Sequence, residues 1–156
     1  MSNIVNYQKL MHIAMCSVIK DALTTLAKPE NFNNIHIAIS FLTHHKGVVL
    51  PDYLKDSYPQ EITVILQHQF RNLQISDHNV SVILSFRGKE ETIVIPYNSI
   101  IKYIDISQSF ALDIKQYINH IEDQEEENDN REQDFQESHK QDNKDNIIFI
   151  DTFLKK

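Results

Sequence analysis

The chain has 156 residues, 41% of them apolar, and a formal net charge of −7, which is enough for one domain with its own core and a tail. Two glycines exclude a glycine-rich phosphate cradle, and a single cysteine excludes an internal disulfide and fits a reducing compartment. Residues 122–146 hold eleven acidic and three basic residues, whereas residues 1–121 hold ten of each, so the body lacks the cationic surplus that nucleic-acid binding requires.

Residues 5–27 carry apolar side chains at helical spacing: Tyr7, Leu10, Met11, Ala14, Met15, Val18, Ile19, Ala22, Leu23 and Leu26. Pro29 and the asparagines after it end the helix. Its apolar face is expected to cover the domain's own sheet; the alternative is that part of it forms a dimer seam. The period then becomes two, with Ile35, Ile37, Ile39 and Phe41 alternating against His36, Ala38, Ser40 and Leu42 in a strand. Pro51 to Pro59 reads as a loop with room for one helical turn.

Glu61 to Phe70 reads as the next strand, with Ile62, Val64 and Leu66 on one face, and Leu73 and Ile75 continue it or begin another. Asp77, His78 and Asn79 make a turn. Val80 to Phe86 is a strand, Arg87-Gly88-Lys89 a hairpin turn in which Gly88 supplies positive φ, and Thr92 to Ile95 the return strand, stopped by Pro96. Asn98 to Ile104 reads as a short helix and Ser109 to Ile114 as a last strand. The expected class is α+β, mainly β: one helix, then five or six short antiparallel strands in a small barrel or two-sheet sandwich.

From Gln116 onward the periodicity is lost. Residues 122–146 are too polar to offset their ordering entropy and are expected to form a disordered acidic linker. The last ten residues turn apolar again, with Ile147, Ile148, Phe149, Ile150, Phe153 and Leu154. Such an ending is either an extra strand of the body or a docking peptide. The long polar stretch before it favours docking, because a strand of the body is normally joined by a shorter connection.

No catalytic or metal-binding pattern emerges. The eight histidines include no His-Glu-x-x-His pair, and His44 and His45 on a strand would face opposite ways. Cys16 lies on the apolar helix as a buried, inert thiol, and Ser85 has no glycine elbow. An enzyme is not expected, nor a cofactor. The N-terminus shows no basic segment followed by an apolar stretch, and no run is long enough to span a bilayer, so a cytoplasmic location without membrane association is expected. The unusual stretch is Gln67-His68-Gln69-Phe70, where polar side chains interrupt an apolar strand. On a strand Gln67 and Gln69 share one face, and His68 joins Leu66 and Phe70 on the other. Either this is an exposed strand end, or the amides line a groove that satisfies the backbone of an extended peptide.

The run Tyr58 to Phe70, with Leu84-Ser85-Phe86-Arg87-Gly88, Ile93-Val94-Ile95-Pro96-Tyr97 and Phe110-Ala111-Leu112, resembles the SspB family of ClpXP adaptors, in its alphaproteobacterial branch. The ending, Ile148 through Asp151, Phe153 and the terminal lysines, is similar to that family's ClpX-docking peptide. The resemblance implies an Sm-like open barrel or sandwich over residues 1–121, a homodimer through the N-terminal helix, and binding of the ssrA tag on substrate proteins. It makes Gln69 the leading tag contact, with Gln67, His68 and Phe70 beside it and Leu84, Phe86, Arg87 and Gly88 on the groove wall. It implies that Ile147, Ile148, Ile150, Asp151 and Phe153, in a peptide spanning 147–156, dock on the zinc-binding N-terminal domain of ClpX, with no metal held by this chain. Two positions depart from the family: Arg71, where an aromatic is frequent, and Arg87-Gly88, where two glycines are frequent. The rival readings are a peptide-binding or assembly-chaperone module with another client, and an Sm-like RNA-binding protein.

Overall fold

The computed structural model describes residues 4–117; the acidic segment 122–146 and the terminal segment 147–156 lie outside the described residues. Helix α1 (Tyr7–Leu26) opens on Asn6, whose side chain accepts from the Lys9 backbone N–H at 3.0 Å, satisfying one of the otherwise unpaired N-terminal donors. A short 3-10 helix (Pro29–Asn34) follows. Then come β1 (Ile37–Leu42), a one-turn α2 (Asp52–Ser57), β2 (Glu61–Leu66), β3 (Phe70–Ile75), β4 (Asn79–Phe86), β5 (Lys89–Pro96), β6 (Ile100–Asp105) and β7 (Phe110–Asp113).

The strands form two antiparallel sheets, one ordered β2-β1-β6-β7 and the other β3-β4-β5, so the body is a sandwich and not a closed barrel. In β4 the pattern is strict: Val80, Val82, Leu84 and Phe86 are 1–2% exposed while Asn79, Ser81, Ile83 and Ser85 are half-buried. This period of two turns one sheet face toward the other. The opposing face supplies Ile37, Ile39 and Phe41 from β1 and Ile62, Val64 and Leu66 from β2. The chain changes sheets twice: between β2 and β3 at residues 67–69, and between β5 and β6 at the 3-10 turn Tyr97–Ser99.

Several expectations are corrected. The segment Asn98 to Ile104 is not a helix; it is the start of β6. A register shift opposite Ser40 and Phe41 buries the consecutive residues Ile100 and Ile101, which breaks the two-residue period. The strands among the described residues number seven. His44 and His45 sit in the turn after β1, not on a strand. The apolar surface of α1 is split: Ile19 and Leu23 are fully buried against the body with Met15, Cys16, Ala22 and Leu26 packed beside them, whereas Tyr7, Leu10, Met11 and Val18 are 41–69% exposed. Thus only one stripe covers the body, and a second lies open.

Candidate functional site

The stretch 67–69 is a turn rather than part of a continuous strand from Glu61 to Phe70. The Gln69 backbone N–H donates to the Gln67 carbonyl at 2.6 Å across His68, whose φ is +63°. This tight three-residue turn with positive φ is uncommon for a residue bearing a side chain. The expected pairing of His68 with Leu66 and Phe70 on one face therefore does not exist. Instead His68 and Gln69 are exposed and Gln67 is half-buried, while Leu66 and Phe70 are buried on either side. Two core anchors thus pin a polar corner between the sheets.

The surroundings follow from register. The β3–β4 ladder ends at Phe70 opposite Leu84, but β4 runs on to Phe86, paired on its other side with Lys89 of β5. Ser85 and Phe86 therefore have no register partner on the side of the corner. Between Phe86 and Lys89 the hairpin turns on Arg87 and Gly88 alone, with φ of +57° and +80°. Two consecutive positive φ values are the demand of a two-residue turn that matches strand twist. Lys89 already belongs to β5. A glycine would meet this demand freely, whereas Arg87 occupies the position at a conformational cost.

Phe70, Leu84 and Phe86 are 1–4% exposed and belong to the core. They support the corner from beneath rather than presenting side chains on its surface. Phe70 also meets Phe32 of the first 3-10 helix, ring centroids 4.8 Å apart. Arg71 uses both Nε, at 3.1 Å, and a terminal nitrogen to grip the Glu90 carboxylate. That hydrogen bond holds the Glu90 carboxyl below its usual range. Arg71 thereby ties β3 to β5 across β4 beside the hairpin, a contact that no sequence pattern announced. Below, the Tyr53 hydroxyl of α2 donates to Glu91 at 3.2 Å. Burial, and then the Glu91 charge, push that phenol upward. Tyr53 and Glu91 were missed because the loop around Tyr53 carries no periodic signal.

The remaining titratable groups suit packing more than chemistry. The Cys16 thiol donates to the Tyr97 carbonyl at 3.5 Å and is pushed up to about 11 by burial, far from the thiolate state a nucleophile needs. His12 lies 3.8 Å from Cys16 and is 5% exposed. Burial, with the nearby His45, lowers its pKa. Among the described residues no group of His, Cys, Asp and Glu is placed to hold a metal ion, and no helix is long and apolar enough to cross a membrane. Of the eight body residues expected at the site, the structure brings Gln67, His68, Gln69, Arg87 and Gly88 to the surface in two adjoining turns. The five expected docking residues Ile147, Ile148, Ile150, Asp151 and Phe153 lie outside the described residues.

The model of the family Stringent starvation protein B, SspB, matches residues 9–147. That range is most of the chain, so the chain belongs to the SspB family. No curated protein matches it.

Proposed function

We propose that this protein is an adaptor that holds the ssrA tag of a substrate at the 67–69 corner and tethers that substrate to ClpXP through residues 147–156. The SspB family is known as a family of ClpXP adaptors and not of enzymes, which carries the coarse part of the reading. The observation that supports the site is the corner itself: Gln67 and Gln69 stand between the two sheets, and at the end of β4 Ser85 and Phe86 pair with β5 but have no register partner on the β3 side. An extended peptide laid there finds side-chain amides that both donate and accept, together with unpaired strand backbone. Gln69 makes the principal contact, with Gln67 and His68 beside it and the Arg87-Gly88 turn as the wall.

The tether acts by proximity. The acidic segment 122–146 joins head and hook over roughly 25–30 Å by random-coil scaling, and its charge extends it further. Linkers of that size give effective concentrations on the order of millimolar, so a weakly held tag still reaches the protease efficiently. The hook docks on the zinc-binding N-terminal domain of ClpX. A homodimer through the open stripe of α1, Tyr7, Leu10, Met11 and Val18, supplies two hooks. The site of action is the cytoplasm. The test is binding of a fluorescent ssrA-tag peptide by anisotropy. The full chain binds it and Gln69→Ala weakens it; absence of binding by the full chain contradicts the reading.

A further inference from the structure

Arg71, Arg87, Lys89, Glu90 and Glu91 surround the β4–β5 hairpin. Both of these acids are already engaged. Arg71, opposite Ile83, reaches diagonally over β4 to grip the carboxylate of Glu90, which stands opposite Ser85. The Glu91 carboxylate accepts from the Tyr53 hydroxyl at 3.2 Å. Arg87 and Lys89 are exposed, and among the described residues neither enters an ion pair. The hairpin therefore carries two cations without an ionic partner, next to the corner.

Arg87 stands out for its backbone as well. Its φ of +57° lies in the left-handed region, where a residue with a side chain is strained and glycine is not. Strained residues that the surrounding fold holds in place concentrate where a protein binds something. Phe86 faces Lys89 and the turn contains only Arg87 and Gly88, so the Arg87 side chain stands at the very end of β4. Its charge is felt at the Tyr53 phenol, which it draws downward against the larger upward push of burial and Glu91. On the β3 side of that end Ser85 and Phe86 have no register partner. A peptide held at Gln69 and passing this end of β4 lies one strand spacing, about 4.8 Å, from its backbone. A side chain of that peptide beside Phe86 comes within reach of the Arg87 guanidinium.

We propose that Arg87 is a specificity-determining residue, which selects client peptides that carry a carboxylate side chain at the position passing the end of β4, with Lys89 adding to the local positive field. The inference rests on the corner being the client site. A guanidinium offers a planar, two-pronged donor that matches a carboxylate and not its amide. Arg71 does not serve in this way while Glu90 fills its fork. Residues 1–121 hold ten acidic and ten basic residues, so the attraction is local and reads one acidic side chain rather than a polyanion. Because the pair forms at the solvent, a carboxylate there is favoured over its amide by about 2- to 5-fold.

The test uses the full chain and fluorescent ssrA-tag peptides in which each position in turn is Glu or Gln, with affinities read by anisotropy. At one position or two neighbouring ones, Glu should bind about 2- to 5-fold tighter than Gln. The preference should vanish in Arg87→Gly, which suits the same turn, and should reverse in Arg87→Glu, an outcome that misfolding does not produce. It should fade between about 0.1 and 1 M salt, as the screening length falls from about 10 to about 3 Å. A Glu preference that persists in Arg87→Gly, or the lack of one at every position in the full chain, overturns the proposal and leaves the client site standing. Failure of the full chain to bind any peptide of the series contradicts the client site itself, and the proposal with it.

Discussion

Gln69 is exposed and sits in a turn whose shape is set by backbone and by its buried neighbours Leu66 and Phe70. Gln69→Ala should therefore weaken tag-peptide binding about 3- to 10-fold, the range of one hydrogen bond, with an unchanged thermal midpoint. Anisotropy and thermal unfolding on the same sample check both halves. Gly88 has φ of +80° and open space where a Cβ would stand, so Gly88→Ala costs only backbone strain, about 1 kcal/mol in urea unfolding. His12 gives a pH signature. Burial holds its folded-state pKa below the ordinary histidine value of 6.5, so the native state binds fewer protons there than the unfolded chain. The resulting stability is present above pH 6.5 and is lost as pH falls through that value toward the folded pKa. Urea midpoints should fall between pH 7.5 and 5.5, and the fall should shrink in His12→Gln; parallel falls in the two proteins would remove His12 from the account. At this scale Gly88 was legible because only glycine suits such a turn so readily. The positive φ of His68 and Arg87 was not legible, because the tertiary anchors on either side impose it.

Helix α1 was legible in extent but not in its division of labour. A helical period marks apolar residues without saying which ones the body covers, and the wheel of α1 carries enough of them for two stripes. The buried stripe, with Ile19 and Leu23 at 0% exposure, holds the helix to the body. The open stripe is the proposed dimer seam. Val18→Glu should convert a dimer to a monomer in light scattering while leaving far-ultraviolet circular dichroism unchanged, whereas Ile19→Ala should cost about 2–5 kcal/mol of stability as a core truncation. A protein that is monomeric before any substitution would contradict the seam. Strand β6 marks the limit of periodicity from the other side. The bulge that buries both Ile100 and Ile101 imitates a helical spacing, and only the partner strand β1 reveals the register.

For the molecule as a whole, the order of parts was readable: helix, short strands, acidic stretch, apolar ending. Alternation in β1 and β4 and the punctuation at Pro96 follow directly from residue type. The pairing of those strands into two sheets did not, because it depends on where the chain crosses from one sheet to the other, at 67–69 and 97–99. The corner that results is also the feature on which the proposed function turns, and the residues singled out as odd in a strand, Gln67 to Gln69, were odd because they are not in one. The central claim is that holding a tagged chain and delivering it are separate tasks joined by the acidic segment. It is tested most directly by degradation of an ssrA-tagged reporter by purified ClpXP, with the full chain or with a chain lacking residues 147–156. The full chain should lower the KM for the reporter, and the shortened chain should not lower it while still binding tag peptide. An equal lowering of KM by both would contradict the account.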